Sequence, residues 1–426
     1  MYPFDKITNK TNFIKKWCFT FGILPFSLDA AAPESYTRES AAKTWADFFW
    51  YKASHEVSAS LFYQQTFGDD LTYFDATFLG YYATGRLYGF KAAAGLLVAA
   101  PIFVATNGTS ETYNDVKQIF LFNTIYGDYI NEKLKLSMIA GRYKAKEEWN
   151  TFYSQGFGIT YDGFLHTSLN LTASYGSAMV IDEFVTPFRT DLSSFGTYFL
   201  RGTFELPYHI ELQPYVYATG FFTAFGMKAQ MAYHVAQDVE METKLHILGY
   251  SKYYAHTFPA NVNHKFELAA EAGLANQNMA GIAWLEQELI YLDLLEAKVG
   301  VIGTSQAGAE LIDYYGHTTP FEYNVGMFWG NAVTIYGATG FNWNHIFEIE
   351  AGVRGSFLPT GNIVSFEIKG LVDFPIWRQR VGNQYRTFMK GKLGLSAIGV
   401  YNDTPAINFY GGNNYTLLRA FIRISI

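Results

Sequence analysis

The chain ends in Tyr415-Thr-Leu-Leu-Arg-Ala-Phe-Ile-Arg-Ile-Ser-Ile426, a stretch in which apolar and polar side chains alternate. Successive side chains of a β-strand point to opposite faces, so this stretch predicts a strand with one apolar and one charged face. A wall with lipid outside and water inside suits both faces, as in a transmembrane β-barrel. The apolar face carries Leu418, Ala420, Ile422, Ile424 and Ile426, and the opposite face carries Arg419, Arg423 and Ser425.

The same alternation recurs along the chain. Residues 362–373, 345–354, 265–274 and 240–247 each place apolar side chains on one face and several ionisable side chains on the other. A soluble core could not hide so many charges, because an unpaired buried charge is costly. A soluble surface would not leave every opposite residue apolar. The repetition therefore favours an all-β, transmembrane, antiparallel up-and-down β-barrel.

Composition supports the same fold class. The mean hydropathy is zero and only 16% of residues are charged, which fits neither a helical membrane protein nor an average soluble protein. Aromatic residues make up 18% of the chain, and such side chains form girdles at both ends of barrel strands. A Tyr-rich soluble sheet protein is the alternative.

The N-terminus has the layout of a secretory signal. Lysines at positions 6, 10, 15 and 16 precede an apolar run over residues 17–28, which is too short to cross a bilayer as a helix. Cleavage after Ala30 would leave small or apolar residues at the recognition positions. We predict a signal peptide over residues 1–30, an N-terminal segment over 31–52 and a barrel over 53–426. The only cysteine, Cys18, lies in the signal, so no disulfide framework is expected.

About twenty stretches have the pattern of strands, among them 264–274 and 321–328, and the even-numbered family of bacterial barrels leads us to expect 18. Short turns should face the periplasm and long loops the outside. The segment 303–320 is also long, but strict alternation places it on the periplasmic side, which indicates an error in the strand count nearby. The predicted external loops are 103–116, 144–153, 177–195, 250–263, 375–386 and 399–414.

Charged residues on the inward faces are candidates for lining a pore. Opposed charges across a pore create a transverse field, which is how a selectivity region acts on ions and polar solutes. The alternative is that these charges only satisfy one another in a wet interior. The candidates are Arg354, Lys369, Lys390, Lys392, Arg419 and Arg423, the neighbouring Glu348, Glu350, Glu367 and Asp373, and, on other strands, Arg201 beside Glu205 and Lys244 beside Glu240 and Glu242.

Arg142 is a separate case. It has the parity of Leu134, Leu136 and Met138, so an uninterrupted strand would point it at lipid. A charge there costs roughly 2–4 kcal/mol at the bilayer midplane and much less near the edges. We therefore expect Arg142 at the membrane edge, unless a bulge at Gly141 turns it into the lumen.

Two parts of the sequence resemble a known family. Residues 73–95 (Tyr-Phe-Asp-Ala-Thr-Phe-Leu-Gly-Tyr-Tyr through Ala-Ala-Ala-Gly), and Ala140-Gly-Arg-Tyr143 followed by residues 153–161, resemble the Helicobacter-type (Hof-type) outer-membrane porins. That family is similar in turn to the OprD-like specific channels. The resemblance implies a monomeric-type 18-stranded barrel, a lumen narrowed by an inward loop, a ladder of basic side chains opposite acidic ones, and an inward Arg142.

The chain departs from that family in two respects. It ends in Ile426, whereas outer-membrane barrels usually end in an aromatic residue recognised by the assembly machinery. Its inward faces are also more acidic than a simple basic ladder would be, which weakens the case for carboxylate substrates.

No catalytic motif stands out. The nine histidines are scattered, and no G-x-S-x-G, HExxH, P-loop or cysteine-based metal motif occurs, so we expect neither an enzyme nor a cofactor or metal. A formal net charge of −7 argues against nucleic-acid binding.

The sequence thus predicts an outer-membrane porin of a Gram-negative bacterium that passes small polar solutes or ions passively through a charged lumen. Its partners should be outer-membrane lipid, lipopolysaccharide and the barrel assembly machinery, with a monomer favoured and the oligomeric state open. The alternative function is an adhesin or structural barrel that acts through its external loops.

Overall fold

A computed structural model of the chain describes most of the molecule after the N-terminal segment. The described residues are 42–67, 72–105, 120–178, 195–252, 279–292, 294–309, 318–322, 325–344, 346–381, 384–404 and 414–426, with a few isolated residues between 180 and 190 and between 312 and 316.

Eighteen long strands lie within these residues, and we number them β1 to β18. Short two-residue strands occur in addition at Val180–Ile181, Phe184–Val185 and Arg189–Thr190. The long strands are β1 (Ser54–Phe67), β2 (Thr72–Ala83), β3 (Phe90–Ala105), β4 (Phe120–Asn131), β5 (Leu136–Lys144), β6 (Tyr153–Phe164), β7 (Thr167–Ala178), β8 (Thr197–Leu206), β9 (Ile210–Ala218), β10 (Phe222–Ala236), β11 (Val239–Lys252), β12 (Met279–Tyr291), β13 (Leu295–Thr304), β14 (Val333–Trp343), β15 (Phe347–Leu358), β16 (Gly361–Val381), β17 (Gln384–Asn402) and β18 (Asn414–Ser425).

The strands form one closed barrel. Each long strand pairs antiparallel with the next in sequence, and β18 pairs with β1, with Ser425 opposite Ser58 and Arg419 opposite Gln64. Closure leaves no open sheet edge in the wall, which a structure surrounded by lipid requires. The predicted antiparallel barrel of 18 strands is confirmed.

Alternation along the strands separates two faces. In β18, Leu418, Ile422 and Ile424 are 39–42% exposed on the outer face, whereas the inner face carries Arg419 and Arg423 beside the buried Leu417 and Phe421. Large exposed apolar side chains occupy the outward positions of the other strands in the same way. Apolar side chains outside and polar ones inside fit a barrel with lipid around it.

The two ends of the barrel differ in the length of their connections. At one end, strands are joined by tight turns, such as Leu165–His166 between β6 and β7 and the 3₁₀ turn Pro207–His209 between β8 and β9. Most long connections, including 145–152 and 305–332, lie at the other end. Barrels of this kind place their short turns in the periplasm, so we call the first end the periplasmic end.

The strand count predicted from the sequence needs two corrections. The candidate strand 321–328 is wrong: its described residues form bends and turns inside the long connection 305–332. β13 runs from the periplasmic end to the other end, so the segment 303–320, which follows it, starts at the end with the long connections. The candidate strand 264–274 lies outside the described residues.

The predicted external loop 375–386 is also wrong. β16 continues to Val381 and β17 begins at Gln384, so residues 375–381 and 384–386 belong to two paired strands at the periplasmic end. Pro375 lies beside a shift in register, where a missing N–H is tolerated. The neighbouring strands end earlier, since β18 pairs with β17 only to Lys390 and β15 pairs with β16 only to Val372. Residues 376–381 and 384–389, which we call the periplasmic ribbon, therefore project beyond the wall.

The N-terminal segment attaches at the same end. A short π-helical turn, Asp47–Tyr51, buries Phe48 against Ala42 and Leu87. The backbone N–H of Gly85 donates to the Phe48 carbonyl at 2.7 Å, which ties the turn to the β2–β3 connection. Among the described residues, no helix is long and apolar enough to cross a membrane.

Candidate functional site

The inner faces of β15 to β18 bring together charges from four neighbouring strands. Lys369 pairs with Glu350, with Nζ 3.6 Å from the carboxylate, and Lys392 lies 3.6 Å from Asp373. The strand register places ten of the sequence-predicted residues on this face, which we call the basic wall. They are Glu348, Glu350, Arg354, Glu367, Lys369, Asp373, Lys390, Lys392, Arg419 and Arg423.

Several side chains of the basic wall remain open to water. The Lys392 and Asp373 side chains are 36% and 45% exposed, and the Glu350 side chain is 25% exposed. Arg423 lies opposite Lys392 in the register, so two cations are neighbours. Like charges held this close raise the local potential, which attracts anions and repels cations.

Arg419 is held by contacts from two sides. Its Nε donates to the Gln64 side-chain oxygen at 2.8 Å, and the Tyr73 hydroxyl donates to the same oxygen at 2.9 Å. Its guanidinium also forms an ion pair with Glu322, which belongs to the connection 305–332. The backbone N–H of Glu322 donates to Glu367 at 2.9 Å. The connection therefore reaches into the lumen and contacts the basic wall.

Two connections fold inward and pack on each other. Phe321 of the connection 305–332 is buried, with its ring 5.6 Å from that of the inward Tyr336. Phe328 meets Trp149 of the connection 145–152 edge to face at 5.5 Å. Together with aromatic side chains on the inner faces of β8 to β14, they form one continuous buried cluster. One side of the lumen is thus filled, and we call it the filled wall.

Polar contacts fix the connection 145–152 to the filled wall. The Trp149 indole N–H donates to the Tyr215 hydroxyl at 2.7 Å, and that hydroxyl lies 2.6 Å from His246 Nε2. Glu147 accepts a hydrogen bond from Thr172 at 2.9 Å. These bonds satisfy polar groups that would be costly to bury alone, so the connection is held in the lumen by specific partners.

Glu148 joins the two inward connections. It lies 2.9 Å from Lys228 Nζ on β10 and accepts a hydrogen bond from Thr318 of the connection 305–332. Burial by itself raises the pKa of Glu148, but the charge of Lys228 and these hydrogen bonds outweigh it and hold that pKa at about 2. Glu148 is therefore an anion at any ordinary pH.

A network of buried ion pairs crosses β11, β12 and β13 on the filled wall. Lys244 Nζ lies 2.8 Å from Glu288 and 3.2 Å from Glu286, and Lys298 Nζ lies 3.5 Å from Glu288 and 2.5 Å from Glu296. The Lys298 and Glu288 side chains are 7% and 5% exposed. Charges this well matched and enclosed serve mainly to satisfy one another.

The partners of two predicted residues differ from those expected. Arg201 was expected beside Glu205, but its guanidinium lies 3.4 Å from Glu147 of the inward connection. Lys244 was expected beside Glu240 and Glu242, and its Nζ does lie 3.9 Å from Glu242, but its shorter contacts are with Glu286 and Glu288 of β12. Strand parity identifies which side chains face inward, whereas partners across the barrel depend on register and on loop paths.

Sequence reasoning missed several residues of the site. Those on strands share the alternating signal and could have been found from it: Lys228, Glu286, Glu288, Glu296 and Lys298. Those on the inward connections have no periodicity to mark them: Glu147, Glu148, Trp149 and Glu322. Among the described residues, no group of three His, Cys, Asp or Glu side chains is placed to hold a metal ion.

The prediction that Arg142 turns into the lumen is wrong. Gly141 stays in register with Tyr126 and Gly156, so the alternation through β5 is not broken before Arg142. Arg142 lies opposite Ile125, which is 46% exposed on the outer face. Its Nε donates to Gln155 at 2.9 Å, near the end of β5 that leads into the connection 145–152. The residue thus faces outward near a strand end.

A closed barrel of 18 strands, with an apolar outer face and a charged inner face narrowed by inward connections, defines a transmembrane β-barrel of the outer membrane. A protein-family model described as "Putative outer membrane protein" matches residues 51–280, more than half of the chain. The chain belongs to this family and is therefore an outer-membrane protein of a Gram-negative bacterium. No curated protein matches the chain in sequence.

Solved structures of specific porins share the fold. OccK2 (OpdF) of Pseudomonas aeruginosa superposes with a TM-score of 0.61 at 9% identity, covering 89% of this chain and 99% of that one. OccAB1 of Acinetobacter baumannii gives 0.61 at 9% identity, covering 92% and 99%. OccD3 (OpdP) of Pseudomonas aeruginosa gives 0.58 at 8% identity, covering 89% and 92%. At such low identity the likeness concerns the fold.

Proposed function

We propose that this protein is a porin, through which small hydrophilic solutes or ions diffuse passively across the outer membrane. The resemblance of residues 73–95, 140–143 and 153–161 to the Helicobacter-type porins supports the same proposal. One observation carries it most: on the basic wall, several charged side chains, among them Lys392, Asp373 and Glu350, face the lumen and stay partly exposed to water, although Arg354 is buried. A barrel plugged throughout would bury or match these groups, as the filled wall does.

The path for solutes runs between the basic wall and the two inward connections. We place the constriction of this path where the connection 305–332 contacts the basic wall, at the ion pair between Glu322 and Arg419. Charges of both signs at a constriction act on permeating ions through the transverse field they create. The predicted residues of the basic wall that stay exposed to water, such as Lys392, Asp373 and Glu350, thus supply the field that selects solutes.

Small polar solutes with a carboxylate are suitable first probes. The OpdF barrel has been solved with glucuronate and the OpdK barrel with vanillate, and both solutes carry a carboxylate. The neighbouring cations Lys392 and Arg423 favour such anions, whereas Glu322 and Asp373 oppose them. We infer a moderate preference for anions. Membrane partners are lipid, lipopolysaccharide and the assembly machinery, and no catalytic role is proposed.

Single-channel recording in a planar bilayer tests the proposal. The folded protein is expected to give discrete conductance steps, with a reversal potential across a salt gradient that reports anion preference. Charge reversal by Arg423→Glu should shift that potential toward cations, because it replaces a lumen cation with an anion. Lys133→Glu makes the same charge change on an exposed turn between β4 and β5 and should shift it far less.

One result would contradict the porin function, and another would contradict selection at the basic wall. A folded, heat-modifiable barrel that gives no steps at any salt concentration would leave the surface-binding alternative as the better account. Equal shifts for Arg423→Glu and Lys133→Glu would show conduction without selection at the basic wall. In that case the protein would be a pore whose constriction lies elsewhere.

A further inference from the structure

The periplasmic ribbon has no counterpart elsewhere in the described barrel. On both sides its neighbours end near the level of Pro375 and Lys390: Ser425 pairs with Lys390, and the Ile346 carbonyl accepts from Asp373 N–H at 2.8 Å. Six residues of each strand continue past this level, a length of about 20 Å at 3.3 Å per residue. A strand tilt of about 40° makes this an axial reach of roughly 15 Å.

The base of the ribbon coincides with the lower edge of the apolar outer face. Ile346 and Ile426, which flank the base, are 57% and 62% exposed. Past them the ribbon presents Trp377, 55% exposed, with its ring 5.4 Å from that of Phe388. Tryptophan and phenylalanine at such a boundary lie where hydrocarbon gives way to polar headgroups. The ribbon therefore begins at the membrane interface.

Cations follow directly beyond these aromatic side chains. Residues 376–389 contain Arg378, Arg380 and Arg386 and no aspartate or glutamate, in a chain whose formal net charge is −7. Arg378 and Arg380 lie on one face of the ribbon, and Arg386, opposite Gln379, lies on the other. The Arg386 guanidinium is 5.6 Å from the centre of the Phe388 ring, a cation–π distance that orients it.

The order of side chains matches the order of layers in a lipid leaflet. Apolar residues lie at the hydrocarbon edge, aromatic residues at the interface, and arginines within about 15 Å beyond it, at the depth of the phosphates. An arginine guanidinium binds phosphate oxygens through two parallel hydrogen bonds, which a lysine cannot reproduce. The charge, the depth and the residue type all favour phosphate groups of lipid.

We propose that the periplasmic ribbon binds the phosphate groups of anionic phospholipids in the periplasmic leaflet. By binding these headgroups, the ribbon attaches the periplasmic rim of the barrel, at β16 and β17, to the membrane. This function is separate from the passage of solutes, because the arginines lie outside the barrel wall. It does not depend on the protein being a porin.

Lipid retention tests the proposal. The protein is reconstituted in vesicles of equal parts phosphatidylglycerol and phosphatidylcholine and extracted in mild detergent, and the retained lipids are quantified by mass spectrometry. The wild-type barrel should retain phosphatidylglycerol in excess. Arg378→Gln together with Arg386→Gln should lower that excess about fivefold for each cation removed. Heat-modifiable migration in gels confirms that the variant is folded.

The matched control removes two cations at the same end of the barrel. Lys133→Gln with Lys135→Gln, on the β4–β5 turn, makes the same charge change and should leave most of the excess in place. Equal losses in both variants would overturn the proposal by showing general charge attraction. An unchanged excess in the ribbon variant would also overturn it. Sedimentation of the wild-type protein, but not the ribbon variant, with purified peptidoglycan and no lipid preference would reassign the ribbon to the cell wall.

Discussion

The two sides of the lumen use the same chemical pair in different ways. On the filled wall, Lys298 and Glu288 lie 3.5 Å apart with side chains 7% and 5% exposed, and further carboxylates surround them. On the basic wall, Lys392 and Asp373 lie 3.6 Å apart with side chains 36% and 45% exposed. The separations are nearly equal and the surroundings are not. A lysine–carboxylate pair therefore supports the structure where water is excluded and shapes the field in the lumen where water enters.

Lys298→Met should have the largest effect on stability. Removing the lysine leaves Glu288 and Glu296 with one cation fewer in an enclosed site, which costs about 3–5 kcal/mol. Lys392→Met, on the basic wall, should cost about 0–1 kcal/mol, because water screens the exposed pair. Urea unfolding of the two variants in lipid vesicles measures both values. Similar losses in the two would mean that the walls do not differ as described.

Acidification should release the inward connections only at very low pH. Because the pKa of Glu148 in the folded protein is about 2, below its ordinary 4.5, its stabilisation is complete above about pH 4.5 and is lost as pH falls toward 2. Titration of Glu148 should thus contribute nothing to the pH dependence of the single-channel conductance between pH 8 and pH 5. Glu148→Gln should cost about 1.5–3 kcal/mol, through weaker bonds to Lys228 and Thr318, and change the conductance at neutral pH.

One experimental result would contradict this prediction for the pH dependence. A conductance change near pH 6 to 7 that Glu148→Gln abolishes would place the pKa of Glu148 far above the value its contacts indicate. Glu132→Gln, at an exposed turn, removes the same charge outside the lumen and serves as the control. It should leave the conductance as in the wild-type protein.

Arg142→Gln should have the smallest effect. The side chain belongs to neither wall of the lumen, so the reversal potential across a salt gradient should not move measurably. Near the membrane edge its stability effect should be about 0–1 kcal/mol. A shift as large as that of Arg423→Glu would show that Arg142 acts from inside the barrel after all.

The strand pattern predicted the fold and much of the basic wall. Residues i and i+2 of a strand lie on the same face, and this does not depend on how the loops fold. The inward positions of Lys369, Lys392 and Arg423 can be predicted from strand parity alone. Glu322 could not be found in this way, since its place depends on where a long connection folds. Arg142 was assigned to the lumen because the family resemblance favoured a bulge at Gly141, whereas strand parity alone points it outward, as observed.

The residues 375–386 show a further limit of sequence reasoning. Proline, glycine and several polar residues suggest a loop, yet the segment pairs as a hairpin with shifts in register between Pro375 and Arg378. A bulged strand tolerates these residues where a regular strand would not. The amino-acid composition of this segment therefore led to a wrong loop prediction at the point where β16 and β17 extend beyond the barrel wall.

The periplasmic ribbon also has a consequence for how copies of the protein avoid one another. Past Val372 and Lys390 each ribbon strand has an edge that no barrel strand covers, and such edges readily add a strand from another chain. Pro375, the shifts in register beside it and the arginines are features that discourage this pairing. In a crowded membrane the ribbon is thereby protected against edge-to-edge aggregation, with like charges keeping neighbouring barrels apart.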